Sequence, residues 1–206
     1  MQGWPAEIGS SRGAQDDNSE LSPRSGGFLF GGAGHDAEHF FLAHALTRDE
    51  MLAHAGTIVG ATDLPVSADL GNGFGDAPET VAETIRLAAA AGLLGCTIED
   101  TTGKADHPLY DFQLAVERIA AAAEAVRGLP FPFMLTARAH NLLFASPKLD
   151  DTISRLQAFE KAGADVLFAP GLADIGAVRT VCAAVAKPFN FMKILRGRSY
   201  FRTPSA

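Results

Sequence analysis

The sequence predicts an α/β fold in which a parallel sheet is covered by helices, and two observations predict it. Between residues 65 and 192, short apolar runs alternate with amphipathic stretches of a dozen or so residues, the pattern of strands joined by helical crossovers. In addition, Ala91-Gly-Leu-Leu-Gly-Cys-Thr-Ile98 and Ala162-Gly-Ala-Asp-Val-Leu-Phe168 use one device twice: a helix end, a glycine suited to a left-handed stop, and a buried strand that starts at once. Pattern alone leaves a closed barrel and an open doubly wound sheet as alternatives.

The elements follow in order. Residues 1–27 are mostly Ser, Gly, Asp, Asn and Pro, too poor in apolar surface to offset the entropy of ordering them, so loop or disorder is expected. Phe28-Leu-Phe30 is a short strand candidate ahead of Gly31-Gly-Ala-Gly34, and the region before Thr47 is ambiguous. At Thr47-Arg-Asp-Glu50 a capping box starts a helix. Pro65-Val-Ser-Ala-Asp69 reads as a strand, followed by the turn Gly71-Asn-Gly-Phe-Gly75, an N-cap candidate at Asp76 and Pro78 in a first helical turn. That helix carries Val81, Ile85 and Ala88 or Ala89 at helical spacing and stops at Gly92. Gly95 to Asp100 is the next strand, a polar loop runs to Pro108, and a helix is expected from about Leu109 to Val126. Phe131 to Arg138 follows as strand. Asp150 or Asp151 can cap a helix bearing Ile153, Leu156 and Phe159, which stops at Gly163 before the strand Ala164 to Ala169. A last helix, from about Asp174 to Ala186, feeds Lys187-Pro-Phe-Asn-Phe-Met192.

Bulk properties narrow the function. A chain of 206 residues with 47% apolar content suits one globular domain. Its formal charge of -7 opposes non-specific binding to nucleic acid, so the expected partner is a small molecule. Cys96 and Cys182 are the only cysteines, both in apolar elements, which argues against a disulfide framework and for a reducing cytoplasm. No apolar run approaches the roughly 18 residues of a membrane span, and the first residues lack a basic region followed by an apolar one. Neither membrane insertion nor export is expected.

Three successive strand candidates end in charge: Asp69, Glu99 with Asp100, and Arg138. In parallel sheets those ends share one face, where barrel active sites are built. Strands also simply stop where polar residues begin, so the plainer alternative stands beside a divalent-metal site. Mg²⁺ prefers hard oxygen ligands, keeps several waters and needs few carboxylates, and Arg138 could then clamp a substrate carboxylate through paired hydrogen bonds. The Gly71 to Gly75 segment falls short of a dinucleotide loop, because Asp76 stands where the third glycine belongs and Asp69 would crowd the pyrophosphate. His35-Asp-Ala-Glu-His39 has a zinc-protease spacing but follows glycines where a long helix is needed. His44, His54 and His107 lack partner spacing, and His140 falls at the mouth or in an ordinary loop. The basic ending, with Lys193, Arg196, Arg198 and Arg202, reads as a solvated tail.

At these residues the chain resembles the isocitrate lyase and phosphoenolpyruvate mutase superfamily, most closely its short phosphonomutase-like branch. The matching motifs are Leu64-Pro-Val-Ser-Ala-Asp69 with Asn72-Gly-Phe-Gly-Asp76, Thr97-Ile-Glu-Asp100, Leu135-Thr-Ala-Arg138 and Ala162-Gly-Ala-Asp-Val-Leu-Phe-Ala-Pro-Gly171. The resemblance implies a (β/α)8 TIM-type barrel that binds Mg²⁺ or Mn²⁺ and makes or breaks a C–C or P–C bond next to a 2-oxo acid, through an enolate. It implies Asp69 and Glu99 in the metal shell, Arg138 on a 2-oxo carboxylate or phosphonate substrate, and a homo-oligomer. Ser25-Gly-Gly-Phe-Leu-Phe-Gly31 is similar to the family's carboxylate-holding loop, which would make Ser25, Gly26 and Gly27 substrate contacts and Asp36 a further metal-shell acid.

The departures are as specific. Gly71 stands where a second acid is usual, and the lyases' Lys-Lys-Cys-Gly-His loop is replaced by Thr101-Thr-Gly-Lys-Ala-Asp-His-Pro108. No cysteine is available there as acid/base, which leaves Lys104 or His107 as proton donors or as solvated loop residues. About six of the eight strands of such a barrel are recognisable. The expected organisation is a disordered or divergent segment 1–24, an incomplete barrel 25–192 and a divergent basic tail 193–206, ends such as a shifted reading frame would leave. A catalytically inactive member that serves only as a binding or subunit-interaction module is therefore the alternative.

Overall fold

A computed structural model describes residues 46–144 and 148–192. Five strands, β1 (Ser67–Asp69), β2 (Gly95–Glu99), β3 (Met134–Arg138), β4 (Val166–Phe168) and β5 (Phe189–Asn190), alternate with five helices. These are α1 (Arg48–Gly60), α2 (Pro78–Ala90), α3 (Phe112–Arg127), α4 (Leu149–Ala162) and α5 (Ile175–Ala184). The strands pair in parallel in the order β1-β2-β3-β4-β5. Each strand thus lies beside the next one in sequence. A doubly wound sheet reverses its order at a switch point; with right-handed crossovers, this uninterrupted order keeps the intervening helices on one face, as in a barrel wall.

Side chains alternate across that wall. Cys96 and Ile98 of β2, Leu135 and Ala137 of β3 and Leu167 of β4 are fully buried in a core shared with the helices. Val81, Ile85 and Ala88 of α2, Ile119 of α3, and Leu156 and Phe159 of α4 meet them. The opposite set, which includes Asp69, Thr97, Glu99 and Arg138, lines the inner face.

The local signals hold at several helix ends. Thr47 and Glu50 form the reciprocal capping box of α1. Gly92 and Gly163 take φ of +90° and +113°, a conformation that only glycine adopts without strain. Both sites are also crowded, since a Cβ would lie 2.8 Å from Val59 Cγ1 and 2.9 Å from Ala123 Cβ. Among the described residues no helix is long and apolar enough to cross a membrane.

Other expectations need correction. Ala77, not Asp76, precedes α2 as its cap and makes no side-chain bond, because the Asp76 carboxylate is taken by Tyr110 and Lys104. Neither Asp150 nor Asp151 caps α4; both lie in its first turn, where Asp151 pairs with Arg155 at 3.2 Å. Leu109 bridges back to Thr101, so α3 starts later, at Phe112. β1, β3 and β5 begin later than their apolar runs, after Pro65, Pro132 and Pro188, which bring no N–H to a ladder. Five strands occur among the described residues against the six expected; the candidate Phe28-Leu-Phe30 lies outside them, as do both terminal segments.

Candidate active site

Three side chains from three strands meet at the carboxyl end of the sheet. Asp69 closes β1, Glu99 closes β2 and Arg138 closes β3, with Glu99 and Arg138 directly in register. The Arg138 guanidinium donates from Nη1 to Asp69 Oδ2 at 2.7 Å and from Nη2 to Asp69 Oδ1 at 3.1 Å. Its Nη2 also pairs with Glu99 Oε2. A planar fork matches a carboxylate in this way, which an ammonium cannot do. The Arg138 and Asp69 side chains are 14% and 19% exposed and Glu99 only 2%, so the first two are within reach of a ligand and the third lies beneath them. Glu99 also accepts from Thr101 Oγ1, and His140 Nε2 lies 3.4 Å from Glu99 Oε2.

The two adjacent acids of β2 face opposite ways. Asp100 turns toward the helices, where its carboxylate accepts from Arg155 Nη1 of α4 at 3.1 Å and from the His140 N–H at 2.8 Å. Burial pushes the Asp100 carboxyl up to about 6, against the lowering effect of Arg155. Asp100 therefore ties the ends of β2 and β3 to α4, while Glu99 faces the mouth.

The turn after β1 is unusual. Gly71, Gly73 and Phe74 all have positive φ, +54°, +79° and +64°, and for a non-glycine such as Phe74 that costs about 1–2 kcal/mol. Such strain persists only where the surroundings hold it. Thr84 Oγ1 donates to the Gly73 carbonyl and the Phe74 N–H to Asn72 Oδ1, and Arg118 of α3, a fully buried side chain, donates from its guanidinium to the carbonyls of Asn72, Gly75 and Asp76. It sits over the Tyr110 ring, 4.0 Å from the centroid. Tyr110 donates its hydroxyl to Asp76 Oδ1 at 2.7 Å and accepts from Asn72 Nδ2 at 3.1 Å. Burial, and then the hydrogen bond to Asp76, push Tyr110 up to about 12, while the bonds from Tyr110 and Lys104 lower Asp76. Within the turn, Gly71 donates its N–H to Asp69 Oδ1 at 3.0 Å, and its carbonyl accepts from the Glu99 N–H at 2.9 Å. That use of the first loop amide is incompatible with a pyrophosphate cradle.

As a donor set, Asp69 and Glu99 fit a hard divalent cation. Their carboxylates already converge on one cationic group, the Arg138 fork, which marks where positive charge is accommodated. No cluster of three His, Cys, Asp or Glu suited to a metal occurs among the described residues, so these two carboxylates by themselves would leave most positions of such an ion to other ligands, and Mg²⁺ commonly keeps several waters.

The family model described as phosphoenolpyruvate phosphomutase matches residues 41–203. The chain belongs to the phosphoenolpyruvate phosphomutase family. It is 30% identical over 148 residues to the 2-methylisocitrate lyase of Escherichia coli K12, a match that covers 69% of this chain and 49% of that enzyme. It is 32% identical over 148 residues to the oxaloacetate decarboxylase of Rhodopseudomonas palustris BisB18, covering 69% and 50%. The chain spans about half the length of these curated relatives. Among solved structures, a proposed lyase/mutase from Burkholderia cenocepacia J2315 is 49% identical and superposes with a TM-score of 0.72, covering 80% of this chain and 67% of that one. This phosphomutase-family chain thus has a parallel α/β fold and is related to lyases and mutases.

Of the residues singled out from sequence, the fold of this phosphomutase-family member gathers Asp69, Glu99, Arg138 and His140. It does not bring Lys104 or His107 to them. Lys104 Nζ pairs with Asp76 Oδ2 at 3.0 Å on the surface, and His107, whose carbonyl accepts from Thr102 Oγ1, lines a separate hollow with Asn141 and Asp151. Ser25, Gly26, Gly27 and Asp36 lie outside the described residues. Sequence reasoning missed Arg118, Tyr110 and Arg155. For Arg118 a signal existed: it falls on the apolar stripe of Ala115, Ile119 and Ala122, where a charged residue stays buried only if it is paired.

Proposed function

We propose that this chain is a Mg²⁺- or Mn²⁺-dependent lyase or mutase-like enzyme that makes or breaks a C–C or P–C bond next to a 2-oxo acid, through an enolate. The observation that carries this reading is the convergence of Asp69, Glu99 and Arg138 at one strand-end mouth. Asp69 and Glu99 would hold the ion, with Asp36 as a further acid. Once bound, it supplies Lewis-acid stabilisation of negative charge on the substrate. Freed from the two acids, the Arg138 fork would take the substrate carboxylate or phosphonate, held in place by its position at the rigid end of β3. Ser25, Gly26 and Gly27 would add backbone donors to the same group, and His140, packed beside Glu99, would border the substrate. Charge developing on the enolate is stabilised best where donors are fixed beforehand and water is scarce, conditions that the shielded Glu99 supports.

A proton for the enolate carbon would come from the loop 101–108. Lys104 is its better candidate, because an exposed pair such as Lys104–Asp76 holds by only about 0–1 kcal/mol and releases readily; His107 is the other. We place the reaction in the cytoplasm, within a homo-oligomer, with a small 2-oxo carboxylate or phosphonate as substrate. Mg²⁺-dependent turnover of oxaloacetate or phosphonopyruvate by the purified chain, abolished by a chelator, is the expected result.

One observation favours a second reading, an inactive module for binding or subunit contact. Gly71 leaves only two carboxylates converging among the described residues. Metal binding without turnover of any 2-oxo acid or phosphonate would select it.

A further inference from the structure

Resting on the metal-site reading above, we infer that Arg118 is a positioning residue for that site, acting from the helix layer through the turn that follows β1. Its guanidinium is fully buried and binds three carbonyls of this one turn, those of Asn72, Gly75 and Asp76. A buried cation spent on neutral carbonyls is a costly arrangement; burial disfavours its charge, and the Tyr110 ring beneath it offsets part of that. What it maintains is equally specific. Three of four successive residues, Gly71, Gly73 and Phe74, are held at positive φ, and the first of them bonds to both acids: to Asp69 through its N–H and to the Glu99 backbone through its carbonyl. The chain of contact runs from Arg118 to the turn, from the turn to Gly71, and from Gly71 to Asp69 and Glu99. Arg118 touches neither carboxylate, so it sets their geometry without taking part in chemistry. Two guanidinium nitrogens share the three carbonyls, Nη1 serving Gly75 and Asp76 and Nη2 serving Asn72, a fixed planar spread that the single ammonium nitrogen of lysine does not reproduce.

The test uses the full chain and Mn²⁺ as probe, with binding read by electron paramagnetic resonance and loop amides read by hydrogen exchange. Arg118→Lys is expected to melt cooperatively yet to bind Mn²⁺ about tenfold or more weakly, a change worth about 1.4 kcal/mol, with faster exchange at Gly71, Gly73 and Phe74. Leu156→Ala, a truncation of a fully buried core side chain on α4, is expected to lower the melting temperature while leaving Mn²⁺ affinity within about twofold, which separates positioning from general stability. Should Arg118→Lys not fold, Tyr110→Phe keeps the ring under Arg118 and removes the hydroxyl that joins Asp76 to Asn72, and the same two losses are expected of it. Wild-type affinity in the variant that folds, or an equal loss in Leu156→Ala, overturns the inference. A wild-type chain that binds no Mn²⁺ overturns the metal-site reading instead; unchanged exchange at the three amides in that case would still sink the role of Arg118.

Discussion

Arg138 on β3 reaches past β2 to grip Asp69 on β1, with two hydrogen bonds of 2.7 and 3.1 Å to a strand that is not its neighbour. The same guanidinium pairs with Glu99 on the strand between them. A single cation thus neutralises two acids that would otherwise repel each other at the strand ends, and its release toward a ligand requires another cation to take its place.

Arg138→Lys is therefore expected to weaken binding of a 2-oxo acid analogue such as oxalate, in the presence of Mg²⁺, by about tenfold or more, since an ammonium offers no paired donors. Calorimetric titration reads this directly. Binding within about twofold of wild type would remove Arg138 from the clamp role.

Asp69→Asn should lower Mg²⁺ or Mn²⁺ affinity by at least about tenfold by replacing an anionic oxygen donor with a neutral amide. The substitution keeps the side-chain shape and an acceptor for the Gly71 N–H. Unchanged metal affinity would show that the ion, if bound, sits elsewhere.

Arg155→Met is expected to destabilise the fold by about 3–5 kcal/mol near neutral pH, because Asp100 would keep the His140 N–H but lose the ion-pair partner it has among the described residues. Denaturant unfolding measures this. A loss below about 1 kcal/mol would mean that Asp100 finds water or another donor.

Gly163→Ala should cost roughly 1–3 kcal/mol. At φ of +113° an L side chain is strained, and the new Cβ would meet Ala123 Cβ at 2.9 Å across the α3–α4 contact. A lowered melting temperature with unchanged far-ultraviolet dichroism is the expected signature, whereas an unchanged melt would contradict the close approach.

By itself the sequence determined what depends on a few adjacent residues. The Thr47 capping box, the glycine stops at Gly92 and Gly163, and the alternation that turns Cys96 and Ile98 away from Glu99 follow from backbone conformations set within a turn or a strand. The charged strand ends were legible for the same reason, since parallel strands share a carboxyl face. Only the tertiary structure decided which of those groups meet. Arg118 and Asn72 are 46 residues apart, Arg138 and Asp69 69 apart, and Arg155 and Asp100 55 apart; no periodicity links such pairs. Asp76 illustrates the limit: its place before Pro78 favours a cap, but hydrogen bonds from Tyr110 and Lys104 claim the carboxylate first. A short polar side chain satisfies whichever donors packing brings to it, and packing is settled by the apolar contacts of the whole sheet and its helices, not by the residues next to it in the chain.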